Sequence, residues 1–249
     1  KHGSSLCIST QVGCRMGCGF CASTLGGLVR SLTPSEMLEQ VYAATRESGR
    51  RVGSLVLMGI GEPLDNLDNV LTFLELLSSP KGLNLSLRHV TLSTCGLVDK
   101  MDELAEHRLG LTLSVSLHAP NDQIRSQTMP VNRRWNISQL LAACKQYFEK
   151  TGRRVTFEYA LLAGVNDSPA QAMQLAQRLR GFGCHVNLIP VNEVPERAYR
   201  RSTADSVNRF KAALEGQGIP TTVRRSLGGD ISAACGQLRR EQSARGGDE

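Results

Sequence analysis

The sequence predicts a parallel α/β fold, and three observations predict it. Short apolar or β-branched runs alternate with stretches of helical periodicity about six times along the 249 residues. The runs are mostly continuous rather than alternating apolar with polar, as expected for parallel strands covered by helices. The helices between them open on capping residues and close on glycines. Periodicity alone leaves an open doubly wound sheet and a barrel or partial barrel as alternatives.

The elements follow in order. "SLCISTQ" (5–11) reads as the first strand. In "LTPSEML", Thr33 is the N-cap, Pro34 takes the first helical position and Glu36 completes a capping box, with Leu32 and Met37 as a hydrophobic staple. Met37, Val41 and Ala44 continue one face. "SLVLMGI" (54–60), "HVTLSTC" (89–95), "LTLSVSL" (111–117) and "VTFEYALL" (155–162) are the next strands. "DSPAQAMQLAQRLRG" is a helix capped by Ser168 with Pro169 behind it, an apolar face through Met173, Ala176 and Leu179, and a stop at Gly181. "HVNLIPV" (185–191) is a strand. The helix after it is lined by Val207, Phe210 and Leu214 and ends at Gly216, and "TTVRR" (221–225) closes the series. The tail "EQSARGGDE" (241–249) reads as disordered, so residues 1–240 are expected to form one core domain.

Composition narrows the class. The chain is 41% hydrophobic and 21% charged, ordinary globular material. It has no apolar run long enough to span a bilayer and no signal peptide. It opens at Lys1, which reads as the start of a fragment and leaves targeting open. Eight cysteines in a chain of this length do not make a secreted disulfide framework, so a reducing cytoplasm with a metal site is the expectation. A net charge of +6 permits a nucleic-acid partner.

Three of the cysteines crowd into "GCRMGCGFCASTLGG" (13–27): Cys14, Cys18 and Cys21, spaced C-x3-C-x2-C. A closed zinc site needs four ligands. A [4Fe–4S] cluster also takes four, one per iron, and with three protein thiolates one iron stays open to chelate a small molecule. The amine and carboxylate of S-adenosylmethionine suit that role. Zinc completed by Cys7 or a histidine is the competing reading. Phe20 beside Cys21 can shield a cluster from water. The loop follows a strand directly, at the rim where sites form in parallel α/β folds. "GIGEP" (59–63) follows the next strand on the same rim, where Gly59 and Gly61 allow close approach and Glu62 can accept from an ammonium group.

"CRMGCGFC" resembles the signature loop of radical S-adenosylmethionine enzymes, and "GIGEP" resembles their methionine-binding segment. Together with "VTLSTCG", "SLHAPN", "VNLIPVN" and "DISAACGQLR", these segments resemble the RlmN/Cfr family of RNA methyltransferases, in order from about residue 5 to 240. The resemblance implies a radical-SAM TIM-barrel-like (βα) partial barrel of about six units. It implies Cys14, Cys18 and Cys21 as cluster ligands, and Gly61, Glu62, Ser93, Ser116, Leu117, His118 and Asn192 as S-adenosylmethionine contacts. It implies that Cys235 receives a methyl group from one S-adenosylmethionine while a second is cleaved at the cluster. The methylated thiol then adds to adenine, and Cys7 resolves the covalent RNA adduct as a disulfide forms. The expected product is adenosine methylated at carbon 2 in 23S ribosomal RNA, at the peptidyl-transferase centre, and in some tRNAs, 3′ of the anticodon. The carbon-8 branch of the family is the alternative, and a zinc-stabilised RNA-binding module the more distant one.

The family also implies an electron donor such as flavodoxin, a monomer, an N-terminal accessory domain and an upstream glutamate base, the last two falling outside this chain. Ser232 stands where the family commonly has aspartate, and Cys95 where it usually has serine. Cys95, Cys144 and Cys184 read as small core hydrophobes. Residues 123–154 carry Arg125, Arg133, Arg134, Lys145, Lys150, Arg153 and Arg154 against Glu149 alone, a candidate phosphate-facing run with Arg133 and Arg134 as RNA contacts. Aromatics are only 4% of the chain, so extensive base stacking is not expected.

Overall fold

The computed structural model describes residues 4–224. Seven parallel strands form one curled sheet. They are β1 (Ser4–Cys7), β4 (Val52–Leu57), β5 (Val90–Thr94), β6 (Thr112–Ser116), β7 (Thr156–Leu161), β8 (His185–Pro190) and β9 (Thr221–Val223), paired in that order. β1 and β9 stand at opposite edges, so the barrel is partial, as the sequence predicts. A separate antiparallel ribbon joins β2 (Gln11–Gly13) to β3 (Leu28–Ser31).

Helices α1 (Pro34–Ser48), α2 (Leu67–Ser78), α3 (Val98–Glu106), α4 (Asp122–Thr128), α5 (Ile137–Thr151), α6 (Pro169–Leu179) and α7 (Ala204–Gly216) follow the strands. The two faces of the sheet differ in chemistry. Leu55, Leu57, Leu92, Leu113, Val115, Phe157, Tyr159, Val186 and Leu188 are at most 1% exposed and join one apolar core with the helices. Burying such side chains contributes about 1.5–3 kcal/mol each. Across the middle of the sheet the alternate positions form a polar row: Ser93 and Ser114 pair in register, Ser116 pairs with Glu158, Glu158 with Asn187, and Asn187 with Thr222.

The predicted first strand, 5–11, is two pieces. Ser9 breaks it, because its N–H donates to Gln40 Oε1 (2.8 Å) and its carbonyl accepts from Gln40 Nε2 (3.0 Å). A helix side chain has replaced the ladder partner, and Gln11 opens the ribbon instead. The thiol loop therefore hangs between two antiparallel strands rather than running directly from β1 into α1.

The capping box at Thr33 and Glu36 is present, and Leu32 packs against the core that contains Met37. Ser168 heads α6 with Gln171 closing the box, but Met173 is 37% exposed, and Ala172, Leu175, Ala176 and Leu179 carry the buried face instead. The sheet selects the i, i+3, i+4, i+7 stripe one position away from the methionine. α7 runs through Gly216, and the left-handed turn falls at Gly218. Cys144 and Cys184 lie in the core cluster, and Cys95 is buried at the end of β5. Among the described residues no helix is long and apolar enough to cross a membrane.

Candidate metal and cofactor site

The thiol loop is closed at its neck by glycine. Gly13 has φ +81°, and a Cβ there would lie 1.9 Å from the Gly27 carbonyl oxygen, so only glycine lets the two strands meet. Cys14 N–H donates to that same oxygen (2.9 Å). Further along, Cys21 N–H donates to Cys18 O (3.2 Å) and Gly19 N–H reaches Thr128 O (2.8 Å). The Thr24 hydroxyl lies 3.0 Å from Cys18 O and 3.1 Å from Cys21 O.

Burial pushes the Cys14 thiol up to about 11, with Glu62 and Cys21 adding to the shift. It pushes Cys18 up as well, with Cys21 and Cys14 as the next causes. The thiols are thus electrostatic neighbours in a desolvated loop, and thiolates are stable there once a bound metal supplies positive charge. Two buried polar atoms on or against this loop, Ser23 Oγ and Arg197 Nε, have no hydrogen-bond partner among the described residues. Donors left open beside thiol ligands suit a group with acceptor sulfurs. Among the described residues no three Cys, His, Asp or Glu side chains converge tightly enough for a single ion. Three thiol ligands, each taking a separate iron, suit a four-iron cluster that keeps one iron open.

The Gly61–Glu62 turn is fastened to the ribbon through Gln11, which is wholly buried. Gln11 Oε1 accepts from Glu62 N–H (2.9 Å), while its Nε2 donates to Asp65 Oδ2 (3.0 Å) and Ser31 Oγ (3.3 Å). Gly61 sits at φ +108°, and a Cβ there would come within 2.6 Å of Gln11 Cβ. Glu62 is buried. Its Oε1 accepts from Leu64 N–H (3.1 Å) and its Oε2 from Cys95 N–H (2.7 Å), with the Thr94 hydroxyl and the Cys95 thiol as further partners of the carboxylate. Burial raises its carboxyl above the ordinary range, against those hydrogen bonds.

The other expected contacts stand on the same rim. Ser93 and Ser116 are half-buried on inward positions of β5 and β6. The Leu117 side chain is core, its N–H donates to Glu158 O (3.1 Å), and its carbonyl accepts from Arg125 Nε (3.2 Å). His118 is buried at φ +52°, a left-handed conformation that a non-glycine residue adopts at a cost. Its Nδ1 accepts from Ala160 N–H (2.8 Å), so the proton of the neutral ring sits on Nε2. Burial and then Arg125 push this imidazole down to about 3. Phe20 meets it edge-on with centroids 5.0 Å apart. Asn192 lies just beyond β8, half-buried. Cys7 is an exposed thiol at the carboxyl end of β1. Cys235 and Ser232 lie outside the described residues.

Sequence similarity now joins the geometry. The Radical SAM superfamily profile matches residues 8–176. A probable dual-specificity RNA methyltransferase RlmN from Desulforamulus reducens is 58% identical over 98% of this chain and 70% of its own length. The protein of that name from Lachnoclostridium phytofermentans is 56% identical over 96% and 67%. The crystal structure of a radical SAM methyltransferase from Sphaerobacter thermophilus superposes with a TM-score of 0.91 at 51% identity, over 94% of this chain and 70% of that one.

The chain belongs to the RlmN family of radical SAM enzymes.

The cofactors of this family are a [4Fe–4S] cluster and S-adenosylmethionine. Streptococcus suis SuiB bound to S-adenosylmethionine shares the fold, with a TM-score of 0.67 at 15% identity.

Two site residues escape a reading of the sequence. Gln11 looks like the end of a strand. Arg125 looks like part of a basic surface run, but it is wholly buried. It donates to Cys95 O (2.8 Å), Ser116 O (3.1 Å), Leu117 O (3.2 Å) and Asn132 Oδ1 (3.1 Å), pinning the ends of β5 and β6 together. Arg125 therefore leaves the phosphate-facing set. Lys145 and Lys150 are ion-paired with Glu149 and Glu106, and Arg134 stacks on Trp135 at 4.2 Å beside Asp99. Arg133 remains exposed on that surface.

Proposed function

We propose that this chain methylates carbon 2 of adenosine in 23S ribosomal RNA, at the peptidyl-transferase centre, and in some tRNAs, 3′ of the anticodon. The observation that carries the reading is the fastening of the three-thiol loop to the Gly61–Glu62 turn through Gln11, on the rim where Cys7 presents its thiol. Carbon 2 of adenine is an electrophilic amidine carbon without a lone pair, so polar transfer from a sulfonium fails there. Bound S-adenosylmethionine and the cluster supply the radical chemistry that this carbon requires.

The chain's own residues divide the remaining tasks. Cys14, Cys18 and Cys21 hold the cluster. Gly61, Glu62, Ser93, Ser116, Leu117, His118 and Asn192 bind and orient S-adenosylmethionine, two molecules being used per turnover. Glu62 receives the ammonium group. His118, neutral across the physiological range, offers only its Nε2 proton as a donor. Cys235 carries the methyl group on sulfur and bonds through it to the base. The Cys7 thiolate then attacks the Cys235 sulfur, the sulfur–methylene bond breaks, the released carbon takes up a proton to become the methyl group of adenosine, and the two cysteines are left as a disulfide. Residues 1–240 are the catalytic core of a cytoplasmic monomer that takes electrons from a flavodoxin-like donor, with Arg133 and Arg134 facing RNA phosphates.

The test is mass spectrometry of nucleosides from hypomethylated ribosomal RNA treated anaerobically with the full-length protein, S-adenosylmethionine and reductant. The 2-methyl isomer supports the reading, and the 8-methyl isomer overturns its regiochemistry. Cys235→Ala abolishes the product, and Cys7→Ala traps protein on RNA as a nuclease-sensitive adduct.

A further inference from the structure

The connection from β8 to α7 reaches back across the chain to the thiol loop. Arg197 Nη2 donates to Thr24 Oγ1 (2.8 Å) and to Cys21 O (3.3 Å), residues more than 170 positions away in sequence. Thr24 is the residue whose hydroxyl lies against the Cys18 and Cys21 carbonyls, so one guanidinium ties down the backbone of two of the three thiol-bearing residues. Tyr199 closes the same contact, since a Cβ on Gly19 would lie 3.1 Å from its ring. The connection is itself anchored. Ala163 N–H donates to Arg200 O (2.9 Å), Ser202 Oγ donates to Asp167 Oδ2 (2.7 Å), and Leu162 bridges Arg201.

The remaining donor decides the matter. Arg197 Nε is buried and has no hydrogen-bond partner among the described residues. It belongs to the same planar group as the Nη2 bonded to Cys21 O, so it lies within a few ångströms of that ligand's backbone. A guanidinium stays charged at every accessible pH. Among the described residues no salt bridge joins Arg197 to a carboxylate, whereas Arg15 is paired with Asp65.

We infer that Arg197 is a positioning residue that holds a fixed positive charge and one open N–H against the thiol loop, and thereby favours the reduced form of the cluster. The inference rests on the assignment of Cys14, Cys18 and Cys21 as cluster ligands. Reduction adds one negative charge to an already anionic, desolvated group. Nearby cations and hydrogen bonds to sulfur are the levers by which a protein raises a cluster's potential.

The experiment is a redox titration of the anaerobically reconstituted holoenzyme, with dithionite as reductant and electron paramagnetic resonance as readout. Wild type, Arg197→Gln, Arg197→Lys and Arg209→Gln are compared. Arg209 is exposed and paired with Asp205 on α7, so its variant controls for net charge. At the wild-type midpoint, Arg197→Gln lowers the reduced-to-oxidised ratio by roughly fivefold, Arg197→Lys, which keeps the charge and loses the open N–H, falls between it and wild type, and Arg209→Gln stays near wild type. An Arg197→Gln protein with a full cluster and an unmoved midpoint overturns the inference. So does loss of the cluster from both Arg197 variants, which assigns the residue to loop folding alone. A wild-type protein that binds no four-iron cluster overturns the ligand assignment instead.

Discussion

The helices and the thiol loop are held by different kinds of bond. α1, α5 and α6 are each opened by a capping box whose two partners are three residues apart. The thiol loop and the Gly61–Glu62 turn are held by bonds spanning 51 residues at Gln11–Glu62, 54 at Gln11–Asp65 and 173 at Thr24–Arg197. A helix end is specified by its neighbours in sequence and forms wherever that sequence goes. The site exists only when the whole sheet has closed around it, so a change in a distant element reaches the site before it reaches the helices.

Gly61→Ala breaks the site side of this contrast most severely. The new methyl meets Gln11 at 2.6 Å in a left-handed backbone, costing about 2–4 kcal/mol by strain and overpacking together. Thermal denaturation shows the loss, and S-adenosylmethionine binding by equilibrium dialysis falls at least about tenfold. A smaller effect belongs to His118. Its folded-state value of about 3 lies below the ordinary 6.5, so the unfolded chain gains a proton first as pH falls. This contribution to stability is complete above 6.5 and is lost between there and about 3. Glu62 and Glu158, whose carboxyls burial raises, work in the opposite direction. The difference in denaturation midpoint between wild type and His118→Gln, followed from pH 7 down, isolates the imidazole. A difference that does not change with pH contradicts the buried neutral ring. The smallest effect is on the helix side. Thr33→Ala removes one half of a cap and costs about 1 kcal/mol, with methylation unchanged at a temperature where the protein stays folded.

The same contrast explains what could be read in advance. Capping boxes, strand runs and the cysteine spacing are short-range patterns, and they gave the element order, the parallel sheet and the thiol loop. Ser9 ended the first strand early because its backbone partner is Gln40, a residue on a later helix. Arg125 reads as part of a basic surface run because nothing around "DQIRSQ" marks it as a node beneath the rim. Its desolvation lowers its own basicity, and it survives in the core by filling four carbonyl sites. Gln11 had no signal of its own, since a strand-end glutamine is ordinary. Met173 lies one position off the buried stripe because a lone helix admits several apolar stripes, and the sheet chooses among them.

Among the described residues, two strands of the partial barrel, β1 and β9, have one neighbour each. Rows of unpaired backbone N–H and C=O groups invite another chain to add a strand, and long flat edges are where assemblies of that kind begin. Here the exposed rows are short, four residues in β1 and three in β9. A strand that brief offers an incoming chain too few hydrogen bonds to repay the entropy of ordering it. Brevity at the two margins therefore leaves little backbone on which a further strand could build.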